Sequence, residues 1–332
     1  MLTAQDISGV YVLAPTPCAA GAETWGASGT TVDLAETESM VENLIAGGVG
    51  GISLCGTLGE SAALLFEEKR QFYDVVVQVA RKRVPIFGGT TALGTRETIN
   101  QMRAVRDVGI DGAFVGLPFW QKPTIGVALR WFKDLSEAVP DLPIMIYSNS
   151  RVFRFAFPKE FWFELIRLAP TVITNKITSE AIMRDLEEVV ERTGQHIAHL
   201  PNERQAVDVW RRVGGRVRGL WSTSGNEGPE PVVALSDAIN ENDEARVESI
   251  SKDIQAVPHY RPKESEMTFD ELETQVQKAR FVAAGFINPG HSRAPYSYED
   301  LPPEWVESST VHARAWAEMR KKYAGVSASR GQ

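Results

Sequence analysis

The chain has 332 residues, 43% hydrophobic and 23% charged, a composition that excludes disordered, coiled-coil and collagen-like proteins. Thirty-five basic against 43 acidic side chains leave a net charge of −8 without a basic cluster, which argues against nucleic acid or an anionic membrane surface as a partner. Two cysteines, Cys18 and Cys55, make neither a disulfide framework nor a four-ligand zinc site; with no signal-peptide pattern and no apolar run of roughly 18 residues, a soluble cytoplasmic enzyme is expected.

Short, continuously apolar and often β-branched runs alternate with amphipathic ones, as in parallel strands buried on both faces and joined by helices. Strand Val10–Ala14 precedes helix Val32–Ala46, Gly51–Cys55 precedes Glu67–Arg81, and Val84–Gly88 precedes Thr95–Val108. The pattern continues with Ala113–Gly116 and Ile125–Ala138, Ile144–Tyr147 and Pro158–Leu168, then Val172–Lys176 and Ser179–Arg192. Ile197–Leu200 with Glu203–Val213 and Val217–Trp221 with Val232–Ile239 close the series. Helices are also predicted over Glu244–Ile254, Phe269–Gly285 and Val311–Tyr323, with Pro258–Pro262 and Pro289–Pro303 as loops. Right-handed crossovers leave a closed barrel or an open doubly wound sheet. Eight units favour the barrel, and neither G-x-G-x-x-G after the first strand nor G-x-x-x-x-G-K-[ST] is present to argue for the open sheet. The expected fold is therefore α/β, a (β/α)8 TIM barrel over 1–240 with a helical extension over 241–332 packed on it.

Chemistry in such a barrel sits at the C-terminal ends of the strands. Lys176 ends the apolar run Thr171-Val172-Ile173-Thr174; burial there lowers an ammonium pKa, and a neutral amine attacks a ketone to form a Schiff base. On position alone, a lysine snorkelling to solvent is the commoner role. Tyr147 ends the preceding strand, where its phenol is either a proton shuttle or a core hydroxyl satisfied by a loop. The Gly56–Gly59 turn, with the Thr57 hydroxyl, suits a small carboxylate, although glycine turns after strands are routine. Gly225–Gly228 reads equally as an anion-binding turn or as a plain tight turn. The five histidines form no H-E-x-x-H, and His196 and His199 point to opposite faces of a strand, so no metal is expected. G-x-S-x-G is absent.

In order along the chain, Ala14-Pro15-Thr16-Pro17, Gly56-Thr57-Leu58-Gly59-Glu60, Tyr147 and Lys176 resemble the dihydrodipicolinate synthase / N-acetylneuraminate lyase family of pyruvate-dependent class I aldolases. The resemblance implies a Schiff base on Lys176 with pyruvate or another 2-oxo acid, a proton relay at Tyr147, and a carboxylate held by the loop of Thr57, Leu58 and Gly59. It implies no cofactor and no metal, and a homotetramer. Departures point away from the synthases: Leu58 replaces a threonine, Pro118-Phe119-Trp120 replaces a tyrosine pair, and Ser150-Arg151-Val152 follows Asn149 where a Pro-Gly-Arg sequence is expected.

The chain is more similar to the hydratase-aldolase branch that cleaves benzylidenepyruvates in the breakdown of polycyclic aromatic hydrocarbons. The similarity lies in Gly116-Leu117-Pro118-Phe119-Trp120, Tyr147-Ser148-Asn149, Trp221-Ser222-Thr223-Ser224-Gly225 and Arg293-Ala294-Pro295-Tyr296. That resemblance implies water addition to the conjugated alkene, positioned by Asn149 and Tyr147, then retro-aldol cleavage to an aromatic aldehyde and pyruvate. Phe119, Trp120, Phe153 and Trp221 are expected to line an aromatic slot, with Ser222 beside it and Arg151 facing an ortho-carboxylate on the ring. An asparagine expected on the C-terminal helix is Thr274 here, or is replaced by Asn288. The alternatives are a 2-oxo sugar-acid aldolase or dehydratase on the same amine, and a barrel that binds a metabolite without catalysis.

Overall fold

The computed structural model describes residues 1–325, so positions 326–332 of the expected extension lie outside the described residues. Eight parallel strands form the sheet: β1 (Gly9–Leu13), β2 (Gly51–Ser53), β3 (Ile86–Gly89), β4 (Gly112–Val115), β5 (Ile144–Ser148), β6 (Val172–Ile177), β7 (Ala198–Leu200) and β8 (Gly219–Ser222). They pair in sequence order from β1 to β7, and β8 returns to β1. The seam between β7 and β8 closes just beyond the end of β7, where Trp221 N–H donates to Pro201 O at 2.8 Å and Glu203 N–H donates to Trp221 O at 3.2 Å. This is the expected TIM barrel.

Around it run α1 (Leu34–Ala46), α2 (Phe66–Ala80), α3 (Thr95–Val108), α4 (Ile125–Ala138), α5 (Ser150–Phe153), α6 (Lys159–Leu168), α7 (Glu180–Arg184), α8 (Leu186–Thr193), α9 (Ala206–Val213) and α10 (Glu230–Asn240). The chain then adds α11 (Glu244–Ala256), α12 (Phe269–Ala284) and α13 (Pro303–Arg320). Val247, Ile254, Phe281 and Trp316 from these last helices belong to the same hydrophobic cluster as the strands. Among the described residues no helix is long and apolar enough to cross a membrane.

Three elements differ from the sequence expectation. The last helix begins at Pro303 rather than Val311: proline in a first turn needs no N–H partner and its φ is already helical, so it opens a helix rather than belonging to a loop. The helix expected over Ser179–Arg192 is broken at Asp185, whose ψ of 25° leaves the helical range. The short α5 was not anticipated; Asn149 caps it by accepting from Arg151 N–H at 3.1 Å and Val152 N–H at 3.3 Å.

One buried cluster fixes the mouth of the barrel. The loop after β2 passes through left-handed backbone at Cys55 (φ 50°) and Glu60 (φ 52°), and the Glu60 carboxylate is its anchor. Lys278 Nζ and Arg293 Nη1 each donate to Glu60 Oε2 at 2.6 Å, and Arg293 N–H donates to Oε1 at 2.6 Å. The same two cations donate to Thr16 O, at 3.2 Å and 3.0 Å, and Arg293 also donates to Pro17 O at 2.7 Å. All three side chains are buried, so removing one charge strands the others away from water. Glu60→Ala is expected to lower stability by about 3–5 kcal/mol, read from the chemical denaturation midpoint.

Candidate active site

Tyr147 and Lys176 are register partners on β5 and β6, so both side chains leave the sheet at the same level. Lys176 is 3% exposed. Its Nζ lies 3.8 Å from the centroid of the Trp221 ring and 4.6 Å from that of Tyr147, with Thr178 Oγ1 at 3.5 Å. Burial among these rings lowers its pKa to about 7; Glu273 and Glu203 oppose the fall and Arg151 adds to it. The lysine therefore ends inside the protein rather than snorkelling to solvent, beside a cavity of about 200 Å³ at the barrel mouth.

The Tyr147 hydroxyl accepts from Asn149 Nδ2 at 3.1 Å and shares a hydrogen with Thr57 Oγ1 at 3.1 Å. Its ring stacks on Phe114 at 4.8 Å between centroids and meets the Phe153 edge at 5.3 Å. Gly116 makes the second contact possible, because a Cβ there would stand 1.9 Å from the Phe153 ring. Burial, with the Glu273 charge, pushes the phenol up to about 12, against the pull of the Thr57 and Asn149 hydrogen bonds. Asn149 has both ends of its amide engaged, the nitrogen on Tyr147 and the oxygen on the first turn of α5. Thr57, Leu58 and Gly59 line the cavity on the side held by Glu60.

The aromatic slot is built differently from the sequence expectation. Trp221 lines the cavity, its Nε1 donating to Ile177 O at 2.8 Å. Phe119 and Trp120 do not: Arg154 Nη2 donates to both their carbonyls, at 2.6 and 2.8 Å, and holds their loop outward, with Trp120 81% exposed. Phe119 and Phe153 instead line a second, more apolar cavity of about 500 Å³ on the far side of Tyr147. Besides Tyr147 and the His259 imidazole, the other rings of the first cavity are Phe114, Tyr260 and Phe269. Sequence reasoning missed Tyr260 because it lies between Pro258 and Pro262, a stretch read as a loop of the extension. Phe269 was hidden because it opens a helix outside the barrel.

Ser222 is also not a lining residue. Strand alternation turns it away from the Trp221 side, and its hydroxyl accepts from Gly225 N–H at 2.9 Å; Thr223 and Ser224 line the cavity in its place. The Gly225–Gly228 turn is closed on itself, with Glu227 buried against Arg280 at 2.6 Å and His312 at 3.2 Å. Arg151 stands at the rim, its side chain 45% exposed, paired with Asp270 and 3.7 Å from Glu273. Thr274 faces the second cavity, and Asn288 is exposed with its N–H donating to Glu36 at 2.7 Å. The residues of α12 that do reach the first cavity are Phe269, Glu273 and Gln277, a four-residue spacing that a helical reading from the cavity side would have found. His199 is held by Thr193 and Asn175, and burial lowers it to about 3. Among the described residues, no group of three or more His, Cys, Asp or Glu is spaced to hold a metal ion.

A family model, the dihydrodipicolinate synthetase family, matches residues 24–296. The trans-O-hydroxybenzylidenepyruvate hydratase-aldolase of Pseudomonas putida is 36% identical over 97% of this chain and 96% of its own. The trans-2'-carboxybenzalpyruvate hydratase-aldolase of Nocardioides sp. (strain KP7) is 34% identical over 97% of this chain and 96% of its own. Among solved structures, PhdJ bound to a substrate intermediate superimposes with a TM-score of 0.89 at 29% identity, covering 97% of this chain and 99% of that one.

The lowered pKa of Lys176 has a direct chemical readout, because the ammonium is inert and the free amine reacts. Reductive methylation at Lys176, followed by peptide mass, is expected to reach half its limiting rate near pH 7, and a solvated lysine near pH ~10.4.

Proposed function

The chain belongs to the dihydrodipicolinate synthetase family and is a lyase of the class I aldolase kind; within that class we propose that it is a hydratase-aldolase acting on aromatic benzylidenepyruvates through a Schiff base on Lys176. The observation that carries this reading is the Lys176 amine, buried against Trp221 and Tyr147 and titrating near neutrality at the end of a barrel strand. The substrate class rests on the two kinds of relative and on the rings of Trp221, Phe114 and Phe269 around the cavity.

Lys176 attacks the 2-oxo carbon of an aryl-CH=CH-CO-COO⁻ substrate and loses water to an iminium, which draws electrons from the conjugated alkene. The substrate carboxylate sits against the Thr57, Leu58 and Gly59 turn, where the Thr57 hydroxyl is shared with Tyr147. Tyr147, held neutral by burial, relays protons between the amine, the substrate oxygen and water. Asn149 orients that phenol through its Nδ2 donation. Water adds at the benzylic carbon, and the bond between the new carbinol and the former alkene carbon then breaks. The iminium takes up the bonding electrons as an enamine, an aromatic aldehyde leaves, and hydrolysis releases pyruvate. No cofactor enters this scheme, and its place is the degradation of aromatic hydrocarbons. In it the barrel, 1–240, supplies the amine, while the extension, 241–332, closes the substrate end of the cavity with Phe269, Glu273 and Gln277. Leu93, Trp120 and Val127 expose one apolar face that suits self-association, and a homotetramer is the proposed assembly.

A second reading, a Schiff-base lyase for a polar 2-oxo acid, is favoured by the polar part of the lining: Asn202, Glu203, Arg204, Thr223 and Gln277. The two share the amine and differ in the aldehyde released. Incubation with pyruvate and borohydride is expected to leave a reduced pyruvyl adduct on Lys176, lost in Lys176→Ala. Aldehyde release from benzylidenepyruvates at least tenfold faster than from hydroxylated 2-oxo acids supports the first reading, and the reverse order replaces it. Arg151→Ala is expected to slow turnover of an ortho-carboxy substrate about tenfold more than that of the ortho-hydroxy analogue. Equal losses on both would remove Arg151 from ring recognition.

A further inference from the structure

Two acids line the cavity: Glu203, which accepts from Ser224 Oγ at 3.1 Å and from Asn202 Nδ2, and Glu273. Glu273 projects from α12 between Phe269 and Gln277, four residues from each, into the space beside Lys176. Its side chain is 16% exposed, and its one ion-pair partner among the described residues is Arg151 Nη2, at 3.7 Å. Arg151 is already in closer contact with Asp270, so among the described residues the Glu273 carboxylate has no tight partner. Gln277, one turn on, is committed differently: its Oε1 accepts from Arg280 Nε at 2.7 Å, which leaves only its NH2 for the cavity. The groups around Glu273 are Lys176 from β6, Tyr147 from β5, Arg151 from α5, Arg261 from the segment before α12, and Asp270 one turn back on its own helix.

Tyr147, the relay for the amine and the 2-oxo oxygen, is engaged on that side of the cavity. Its hydroxyl is already bonded to Thr57 and Asn149, and its proton is held to about 12. A carboxylate in the same cavity, with no tight hydrogen-bond partner, is better matched to removing a hydroxyl proton. Burial raises the Glu273 carboxyl above its ordinary value, while Arg151, Lys176 and Arg261 draw it back.

Resting on the Schiff-base reading above, we infer that Glu273 is the acid–base residue of the bond-breaking step. With the hydrated substrate bound to Lys176 as an iminium, the Glu273 carboxylate takes the proton from the benzylic hydroxyl. The oxygen's electrons form the aldehyde C=O, the carbon–carbon bond breaks, and its electron pair moves through the new alkene to neutralise the iminium nitrogen as an enamine. The aldehyde departs. Glu273 returns the proton to the terminal enamine carbon, making the methyl group of a pyruvyl iminium, and water then releases pyruvate and the free amine. One proton is taken and one is returned, and no further reactant is needed.

Pyruvate alone tests the step, because the last proton transfer run backwards exchanges the methyl hydrogens of pyruvate with solvent. In D₂O, the parent enzyme is expected to deuterate pyruvate, followed by NMR, and to be trapped on Lys176 by borohydride. Glu273→Gln keeps the shape of the side chain and, with the amine intact, is expected still to form the borohydride-trapped pyruvate adduct on Lys176. It should exchange the methyl hydrogens about 10²–10⁴-fold more slowly and lose the acid limb of the exchange pH profile. Glu273→Asp is expected to retain more exchange than Glu273→Gln, with the acid limb present. Arg151→Ala, which leaves the carboxylate in place, should slow exchange far less. Exchange at the parent rate in Glu273→Gln, Glu273→Asp no better than Glu273→Gln, or an equal loss in Arg151→Ala would each overturn the assignment while leaving the Schiff base intact. Absence of any pyruvate adduct in the parent would instead defeat the Schiff-base reading itself, and this inference with it.

Discussion

A single carboxylate, that of Glu60, lies beneath the barrel mouth with two cations upon it, and stretches of chain far apart in sequence meet there. Lys278 comes from α12, Arg293 from the tail that follows, and Thr16 and Pro17 from the loop after β1. The contact holds the Glu60 end of the loop after β2, whose turn carries the Thr57 hydroxyl against Tyr147. It also ties α12 to the barrel, and with it Phe269, Glu273 and Gln277, which form one wall of the cavity. A buried ionic cluster of this kind gives little net stability relative to apolar packing. What it supplies is a fixed distance between a turn that offers hydrogen bonds and a helix that faces it.

Within that frame, the site works by withholding solvent from a group that wants it. Lys176 has aromatic faces on two sides and a single long contact to Thr178, so its ammonium form is poorly served. The same desolvation acts in the opposite direction on Tyr147, Glu203 and Glu273, whose charged forms are disfavoured. Burial thus draws a base and several acids towards or away from neutrality in one small volume, and their mutual charges decide where each settles. The aromatic rings are part of the electrostatics as much as of the shape.

Much of this was legible in the sequence, and the boundary is physical. Strands buried on both faces are unbroken apolar runs, so all eight were visible, and the register of Tyr147 with Lys176 follows from their common position at strand ends. Glu60 and Arg293 were both present in quoted motifs, yet their contact was not readable, since 233 residues separate them. Loop direction was the main failure. Phe119 and Trp120 have the composition of a slot, and only the Arg154 bonds to their carbonyls reveal that the loop turns outward. Ser222 failed because a motif read as a string ignores that neighbours on a strand face opposite ways. Glu273 carried a signal, its spacing with Phe269 and Gln277, but nothing in one sequence says that this face of the helix looks into the barrel.

The division of the cavity wall has a consequence for how such a protein can change. The amine and the phenol stand on strands whose residues are packed from every side, where a substitution disturbs the whole sheet. Tyr260, Phe269 and Gln277 come from one helix and the twelve-residue span before it, Val257–Thr268, outside the eight strands. Mutations at these positions can reshape what the enzyme accepts while Lys176, Tyr147 and, between Phe269 and Gln277, Glu273 stay where they are. A lineage can therefore explore new substrates along one short stretch of gene, with Glu273 as the one position there that the chemistry holds fixed.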